Sequence, residues 1–375
     1  MSKPVVIPKP TGEYAVGTFT YTVKDAREEV MHQGGMRSVA TRVYYPVLKE
    51  SVAGCEKPVG LSDNMIKGFK GAFKVAPNFK KNSELNRSEC YINAPKIPDK
   101  RFPLIMFNHG YLSYREGNSF LCIELASHGY VVISVAHSYE GLCTEFDDGS
   151  YVLYDKTISK KMYEPDIPGK IAMLKFLKVR GSDEELAEKF DIIQRKYCKF
   201  MIGRLPEWIK DNEAALEYAK NNLTDIIDFE KGVGVSGHSF GGNTAYALCA
   251  RNPDFTCGIN LDGGLFGEYN DDIQTRPFMQ LSCSDNERVV TRVYLRHTKP
   301  VYKVLFNDMR HMGFADAKHM IPMKSVVGKL DPDKAHKLVS KCHLEFFDAY
   351  LKGKKDEPVF PESDVITVTK FDPDM

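Results

Sequence analysis

The order of apolar and polar positions changes character along the chain. Residues 15–23 and 37–45 carry β-branched and aromatic residues in partial alternation, joined by a polar stretch and ended by Pro46. That pattern predicts an antiparallel pair of strands. From residue 102 the runs become shorter and apolar throughout. Residues 102–107 and 130–136 flank a helical stretch over 120–126. Strand, helix and strand in that order, with fully apolar strands, predict a parallel sheet buried on both faces. The unit recurs as a strand over 232–236, a helix over 244–250 and a strand over 257–261, with further strands over 278–282 and 301–306. Asp331 and Pro332 open a last helix as N-cap and first-turn residue, and Gly353 closes it. Residues 355–375 read as a tail laid over the surface.

Two stretches depart from this alternation. Residues 141–230 are mostly charged and helical, with Ser182-Asp183-Glu184-Glu185 as a helix start and a long polar helix over 184–198. The fold class is therefore α/β: one domain over 1–375, a mainly parallel central sheet with helices on both faces, and 141–230 as a helical insertion placed to cap a substrate pocket. Residues 49–100 are loop-like. Within them, 64–82 holds Lys67, Lys70, Lys74, Lys80 and Lys81 and no acid, and Met65, Ile66, Phe69 and Phe73 recur at near-helical spacing. One reading is a peripheral contact with a lipid surface. The other is a short helix packed on the core, weakened by Gly68, Gly71 and Pro77.

Composition narrows the function. Hydrophobic residues make up 43% of the 375 and charged residues 27%, which excludes disorder, collagen and coiled coil as the main architecture. Lysine and arginine total 51 against 50 acids, so no charge excess points to nucleic acid. The apolar run 130–136 is too short to span a bilayer. The N-terminus lacks the apolar core of a signal peptide, and Ser2 does not support N-myristoylation. Nine cysteines without a C-x-x-C pair read as a reduced, cytoplasmic protein with no zinc knuckle, although a secreted mature form would leave the same trace.

The sharpest local signal is Gly237-His238-Ser239-Phe240-Gly241-Gly242, a G-x-S-x-G between a predicted strand and a predicted helix. So tight a turn admits only glycine two residues either side of the serine. It lifts the hydroxyl clear at a helix N-terminus, where the N–H of Phe240 faces a developing oxyanion. The same stretch contains Gly232-x-Gly234-x-x-Gly237, which matches a dinucleotide fingerprint with Asp254 near the ribose-acid distance. That reading needs a strand before Gly232, and residues 226–231 make a poor one. A serine nucleophile needs a base and a group to orient it, in the chain order serine, acid, histidine. His311 follows a strand through a short polar loop, at the carboxyl edge of the sheet. His319 is its rival, and His336 and His343 fall at expected solvated positions of the last helix. Asp262 and Asp285 both end strands, and pattern alone leaves the choice open. The loop after residue 107, Asn108-His109-Gly110-Tyr111-Leu112, should give the second oxyanion donor through the N–H of Tyr111, with His109 as a structural hydrogen-bonder.

Four patches in order carry a resemblance: Phe107-Asn108-His109-Gly110, the elbow at Ser239, Asn260-Leu261-Asp262-Gly263-Gly264, and Arg310-His311-Met312-Gly313-Phe314-Ala315-Asp316. With Arg42-Val43-Tyr44-Tyr45-Pro46 they make the chain similar, in outline over 12–353, to the single-chain platelet-activating factor acetylhydrolase family of α/β-hydrolases. The resemblance implies Ser239 as nucleophile, Asp262 as acid, His311 as base, and Tyr111 and Phe240 as backbone oxyanion donors. It implies a serine esterase acting on glycerophospholipids with a short or oxidised sn-2 acyl chain, with no metal or organic cofactor. A histidine base predicts that activity falls as pH drops below about 6.5, where free imidazole protonates. The alternatives are a broad carboxylesterase or dienelactone-hydrolase-like enzyme on small soluble esters, an acyltransferase, and a non-catalytic ligand-binding member of the fold.

Overall fold

The computed structural model describes residues 7–31, 35–58, 60–73, 79–80, 88–157, 167–269, 272–321 and 323–373. Strands β1 (Ala15–Glu28) and β2 (Met36–Val47) form the expected antiparallel pair, and the short β3 (Tyr91–Ile92) joins β1 in parallel. The apolar runs become β4 (Leu104–Asn108) and β5 (Val131–Val135), every residue of which is buried. A separate hairpin, β6 (Cys143–Glu145) and β7 (Tyr151–Leu153), follows. The sheet resumes with β8 (Val233–His238), β9 (Phe255–Leu261), β10 (Phe278–Cys283) and β11 (Val301–Phe306), all parallel to one another and to β4. The last strand, β12 (Ile366–Phe371), is antiparallel to β11. The sheet runs β12-β11-β10-β9-β8-β4-β5-β2-β1-β3, and the expected α/β class is what the chain adopts.

Beside the sheet lie α1 (Asp63–Ala72), α2 (Ser119–Ser127), α3 (Ile167–Phe176), α4 (Asp183–Tyr197), α5 (Lys199–Asn222), α6 (Phe240–Arg251) and α7 (Pro332–Tyr350). Side chains of a strand alternate between faces. Leu104 and Met106 of β4 therefore join a core with Leu205, Trp208, Ala215 and Leu216 of α5 and Ala245 and Leu248 of α6. Ile105 and Phe107 join the opposite core, with Leu121 and Leu125 of α2 and Val339 and Phe346 of α7. Helices thus cover both faces. Within 141–230, α5 is part of the main layer, while α3 and α4 lie further out. Ser182 caps α4, accepting from Glu185 N–H while the Glu185 carboxylate returns to the Ser182 N–H, the reciprocal arrangement the sequence signals.

Several expectations need correction. Residues 366–371, within the expected surface tail, form an edge strand of the sheet, because Ile366, Thr367, Val368 and Thr369 are β-branched and β11 would otherwise present an open edge. His336 and His343 are buried, at 2% and 0% exposure, instead of solvated. Seven residues apart, they share the inward face of α7 with Val339 and Phe346. His336 stacks on Phe120, and His343 reaches Ser236 Oγ at 3.2 Å. The helix ends at Tyr350 with Leu351 as its C-cap, and Gly353 takes a positive φ two residues later. In α1, Met65 and Ile66 are buried against the core and Phe69 is half-buried against Tyr114, so only Phe73 of the four lipid-contact candidates is exposed. Gly68, which weakens the helix in isolation, allows this approach: a Cβ there would lie 2.4 Å from the Leu142 carbonyl oxygen. Lys74, Pro77 and Lys81 lie outside the described residues.

A buried knot of charge ties the N-terminal pair to α5. Asp211 accepts from Arg37 Nη2 at 2.6 Å and Arg27 Nη2 at 2.7 Å, and Arg37 also pairs with Glu29 at 2.7 Å. Arg37 is 2% exposed and Asp211 fully buried; burial alone would raise the Asp211 carboxyl, but the Arg37 guanidinium and the His137 ring beside it hold it far below the usual carboxylate range. Removing one partner of such a pair strands the other charge. We expect Asp211→Ala to lower the unfolding free energy by about 3–5 kcal/mol in urea titrations.

Candidate active site

The site begins where β8 turns into α6. Ser239 sits between them at φ 58°, ψ −124°, a backbone region that side chains other than glycine seldom enter. The turn holds because its neighbours lack side chains. A Cβ on Gly237 would lie 2.3 Å from the Gly241 carbonyl oxygen, and one on Gly241 would lie 2.3 Å from that of Asn108. The Ser239 N–H donates to the Leu261 carbonyl, so the turn is anchored on the next strand, β9.

Asp262 follows β9 and is completely buried. His311 follows β11 and lies between it and the serine: its Nδ1 is 2.7 Å from Asp262 Oδ2 and its Nε2 is 2.8 Å from Ser239 Oγ. A carboxylate only accepts, so Nδ1 carries the proton and Nε2 offers its lone pair to the serine hydroxyl. The other acid candidate, Asp285, is exposed and paired with Arg310. The rival histidine, His319, bonds to His336 at 3.0 Å. Geometry therefore brings together Ser239, His311 and Asp262, and leaves Asp285 and His319 with other partners.

Three further residues escaped the sequence reading. Cys283 donates its backbone N–H to Asp262 Oδ1 at 2.8 Å, and Asn286 donates Nδ2–H to Oδ2 at 2.7 Å. Asn286 Nδ2 is also 3.1 Å from His311 Nδ1. Both nitrogens carry hydrogens aimed at the same oxygen, so this is a shared acceptor. His238 donates from Nε2 to the His311 carbonyl at 3.0 Å, tying the base's backbone to the elbow. Its place in the motif was visible, but nothing in G-x-S-x-G marks that position as more than filler. Asn286 stood one residue from a weighed acid, and only the fold of its loop turns it inward.

The loop after β4 runs against the serine, since a Cβ on Gly110 would lie 3.0 Å from Ser239 Cβ. Tyr111 is next in the chain, and Phe240 opens α6, where a first-turn N–H has no carbonyl four residues back. His109 holds the loop as a structural group. It accepts from the His137 N–H at Nε2 (3.2 Å), which leaves Nδ1–H to donate to the Gly110 carbonyl at 2.7 Å. Asn108 Oδ1 lies 2.6 Å from Asn212 Nδ2 and 3.1 Å from His137 Nε2, and His137 in turn contacts Asp211 at 2.9 Å and stacks on Trp208. Helix α5 therefore buttresses this loop from below.

The dinucleotide fingerprint is not built. Gly234 lies inside β8 and Gly237 near its end, with no strand-to-helix turn between Gly232 and Gly237, and Asp254 pairs with Lys220 at 2.7 Å. Among the described residues no group of three or more His, Cys, Asp or Glu side chains could hold a metal ion, and no helix is long and apolar enough to cross a membrane.

Known proteins resemble this chain in sequence and in fold. The family model described as "Platelet-activating factor acetylhydrolase, isoform II" matches residues 1–362. The platelet-activating factor acetylhydrolase of Canis lupus familiaris is 26% identical over 380 aligned positions, covering 93% of this chain and 78% of the relative. That of Cavia porcellus is 24% identical, covering 92% and 78%. Among solved structures, a ferulic acid esterase from Streptomyces cinnamoneus superposes with a TM-score of 0.72 at 20% identity, over 98% of this chain and 99% of that one, which is a likeness of fold.

Burial leaves a pH signature. His109 and His238 are pushed down to about 3 and His343 to about 4, all by burial. In the unfolded chain each returns to about 6.5. Above that pH both states are neutral. Below it the unfolded chain takes up protons that the folded one refuses, so each histidine removes up to ~1.4 kcal/mol of stability per pH unit. Asp316, raised to about 6 by burial, works the other way and adds stability as pH falls from about 6 towards the ordinary carboxyl value of 3.8. Urea titrations between pH 7.5 and 4.5 should show a net loss towards acid. His343→Gln removes one contributor and should make the slope shallower.

Proposed function

We propose, for a chain that belongs to the platelet-activating factor acetylhydrolase isoform II family, that it is a serine ester hydrolase cleaving short or oxidised sn-2 acyl chains from glycerophospholipids through an acyl-enzyme. The observation that carries the reading is the unbroken line from Ser239 Oγ through His311 to the buried Asp262 carboxylate, at 2.8 and 2.7 Å. Ser239 Oγ attacks the ester carbonyl carbon as His311 Nε2 takes its proton. Asp262 keeps the imidazole in the required tautomer and stabilises the imidazolium. The N–H groups of Phe240 and Tyr111 receive the oxyanion. The intermediate collapses, the lysophospholipid alkoxide leaves with the proton from His311, and water repeats the attack to release the carboxylic acid.

The family supports an ester or phospholipid substrate. Nine unpaired cysteines, most of them buried, support a reducing compartment such as the cytoplasm.

The test is hydrolysis of a short-acyl sn-2 phospholipid, its long-chain analogue and a soluble p-nitrophenyl ester. Ser239→Ala and Asp262→Asn should each lose about 10⁴-fold in kcat/KM, and Asp285→Asn should stay within about threefold of wild type. Short-chain phospholipid should outcompete the soluble ester. An active Asp262→Asn would overturn the assignment of the acid. Cleavage of the soluble ester alone would move the reading to a broad carboxylesterase.

A further inference from the structure

The Asp262 carboxylate is fully buried, and its two oxygens are not treated alike. Oδ1 accepts from the Cys283 N–H at 2.8 Å. Oδ2 accepts from His311 Nδ1 and from Asn286 Nδ2, each at 2.7 Å, and lies 3.3 Å from Cys283 Sγ. Burial pushes the Cys283 thiol far above its usual range, so it stands there as a neutral, weak S–H donor. Among the described residues, Asn286 is thus the one side chain besides the base that holds a short bond to the oxygen facing the base.

The turn after β10 fixes where Asn286 stands. Its N–H donates to the Cys283 carbonyl at 3.2 Å, and its own carbonyl accepts from the Val289 N–H at 3.1 Å. The side-chain nitrogen also lies 3.3 Å from the Asp262 carbonyl oxygen, so its two hydrogens bridge the carboxylate and the main chain of one residue. Turning the amide over would set its oxygen against an ionised carboxylate, which only accepts, so the donor must face Asp262. A carboxylate oxygen offers two lone-pair directions. With one short bond given to His311, Asn286 fills the other.

We propose that Asn286 is a positioning residue of the reaction: it holds Asp262 towards His311 and draws off part of the carboxylate charge, so that the base gives up its proton more readily. Each turnover asks His311 to take the serine proton and then pass it to the leaving group. A carboxylate free to swing would lose the imidazole tautomer. One with its charge turned wholly on the imidazolium would hold the proton back. Asn286 limits both. A mere tie between the loops after β9 and β10 would affect stability and leave the pH dependence of the rate alone. The inference rests on the serine-esterase reading, and the two are made to fail separately.

The experiment is the pH profile of kcat/KM on a soluble p-nitrophenyl ester for wild type, N286L, N286D and Ser239→Ala. At pH 8, N286L should lower kcat about tenfold and leave KM within about twofold, because Asn286 acts through Asp262. The acid limb should move to higher pH, by about half a unit in N286L and about one unit in N286D. N286D keeps the shape of the side chain and adds a second negative charge beside the base, so it carries the test even if N286L folds poorly. In an Asp262→Asn background N286L should lose less than about twofold more, since its route to the base is gone. Acid limbs that coincide with wild type, or the same loss from N286L in both backgrounds, would overturn the proposal and leave Asn286 a tie between loops. Ser239→Ala as active as wild type would instead overturn the esterase reading on which it rests.

Discussion

Where β8 turns into α6, there is no room for a side-chain carbon at Gly237 or Gly241, which would stand 2.3 Å from the carbonyl oxygens of Gly241 and Asn108. Much of the site follows from that exclusion. It lets the loop after β4 lie against the elbow and brings Gly110 to Ser239. It also holds the serine at a positive φ that relaxation towards an ordinary turn would undo. The strain is distributed, since Asp262 also has a positive φ, 56°. The serine is hydrogen-bonded through its N–H to β9, and the Asp262 N–H to β10, so neighbouring strands hold both strained residues in place.

A second layer of support reaches the site from outside the sheet. Asp211 and Asn212 are consecutive residues of α5. One neutralises Arg37 and contacts His137, and the other contacts Asn108. His137 contacts the loop twice, through its backbone N–H to His109 and its ring to Asn108. A buried ionic cluster is weak evidence for net stability, because desolvation offsets much of its attraction. Its consequence here is geometric. It places the N-terminal strands, the helical segment and the loop beside the serine in one mutual arrangement.

The parts of this molecule readable from sequence are those whose partners are near in the chain or whose pattern is periodic. Unbroken apolar runs gave the parallel strands, and a serine and glutamate three apart gave the start of α4. The glycines of the elbow announced a strand-to-helix turn. Illegible features depend on distant partners. Asp262 and Asp285 look alike until Cys283, Asn286 and His311 close around one of them and Arg310 takes the other. His336 and His343 are polar letters in an apolar face, readable only through Phe120 and Ser236. Residues 366–371 lack an unbroken apolar run and become a strand because β11 needs an edge partner. Helix α1 has an apolar, basic pattern that fits both a membrane and a core. Gly68 decides for the core, by allowing contact with Leu142 some seventy residues away.

The position of α5 bears on how such molecules diverge. The sequence presents 141–230 as a helical insertion. Yet its last helix carries Arg204, Trp208, Asp211 and Asn212, which grip Glu140, His137 and Asn108 beneath the loop at the serine. A chimera that takes this whole segment from a relative would replace part of the site's foundation as well. Exchange of the segment and support of the site are thus coupled through α5. The grip on that loop begins after the junction of α4 and α5 near Cys198, with Arg204 of α5.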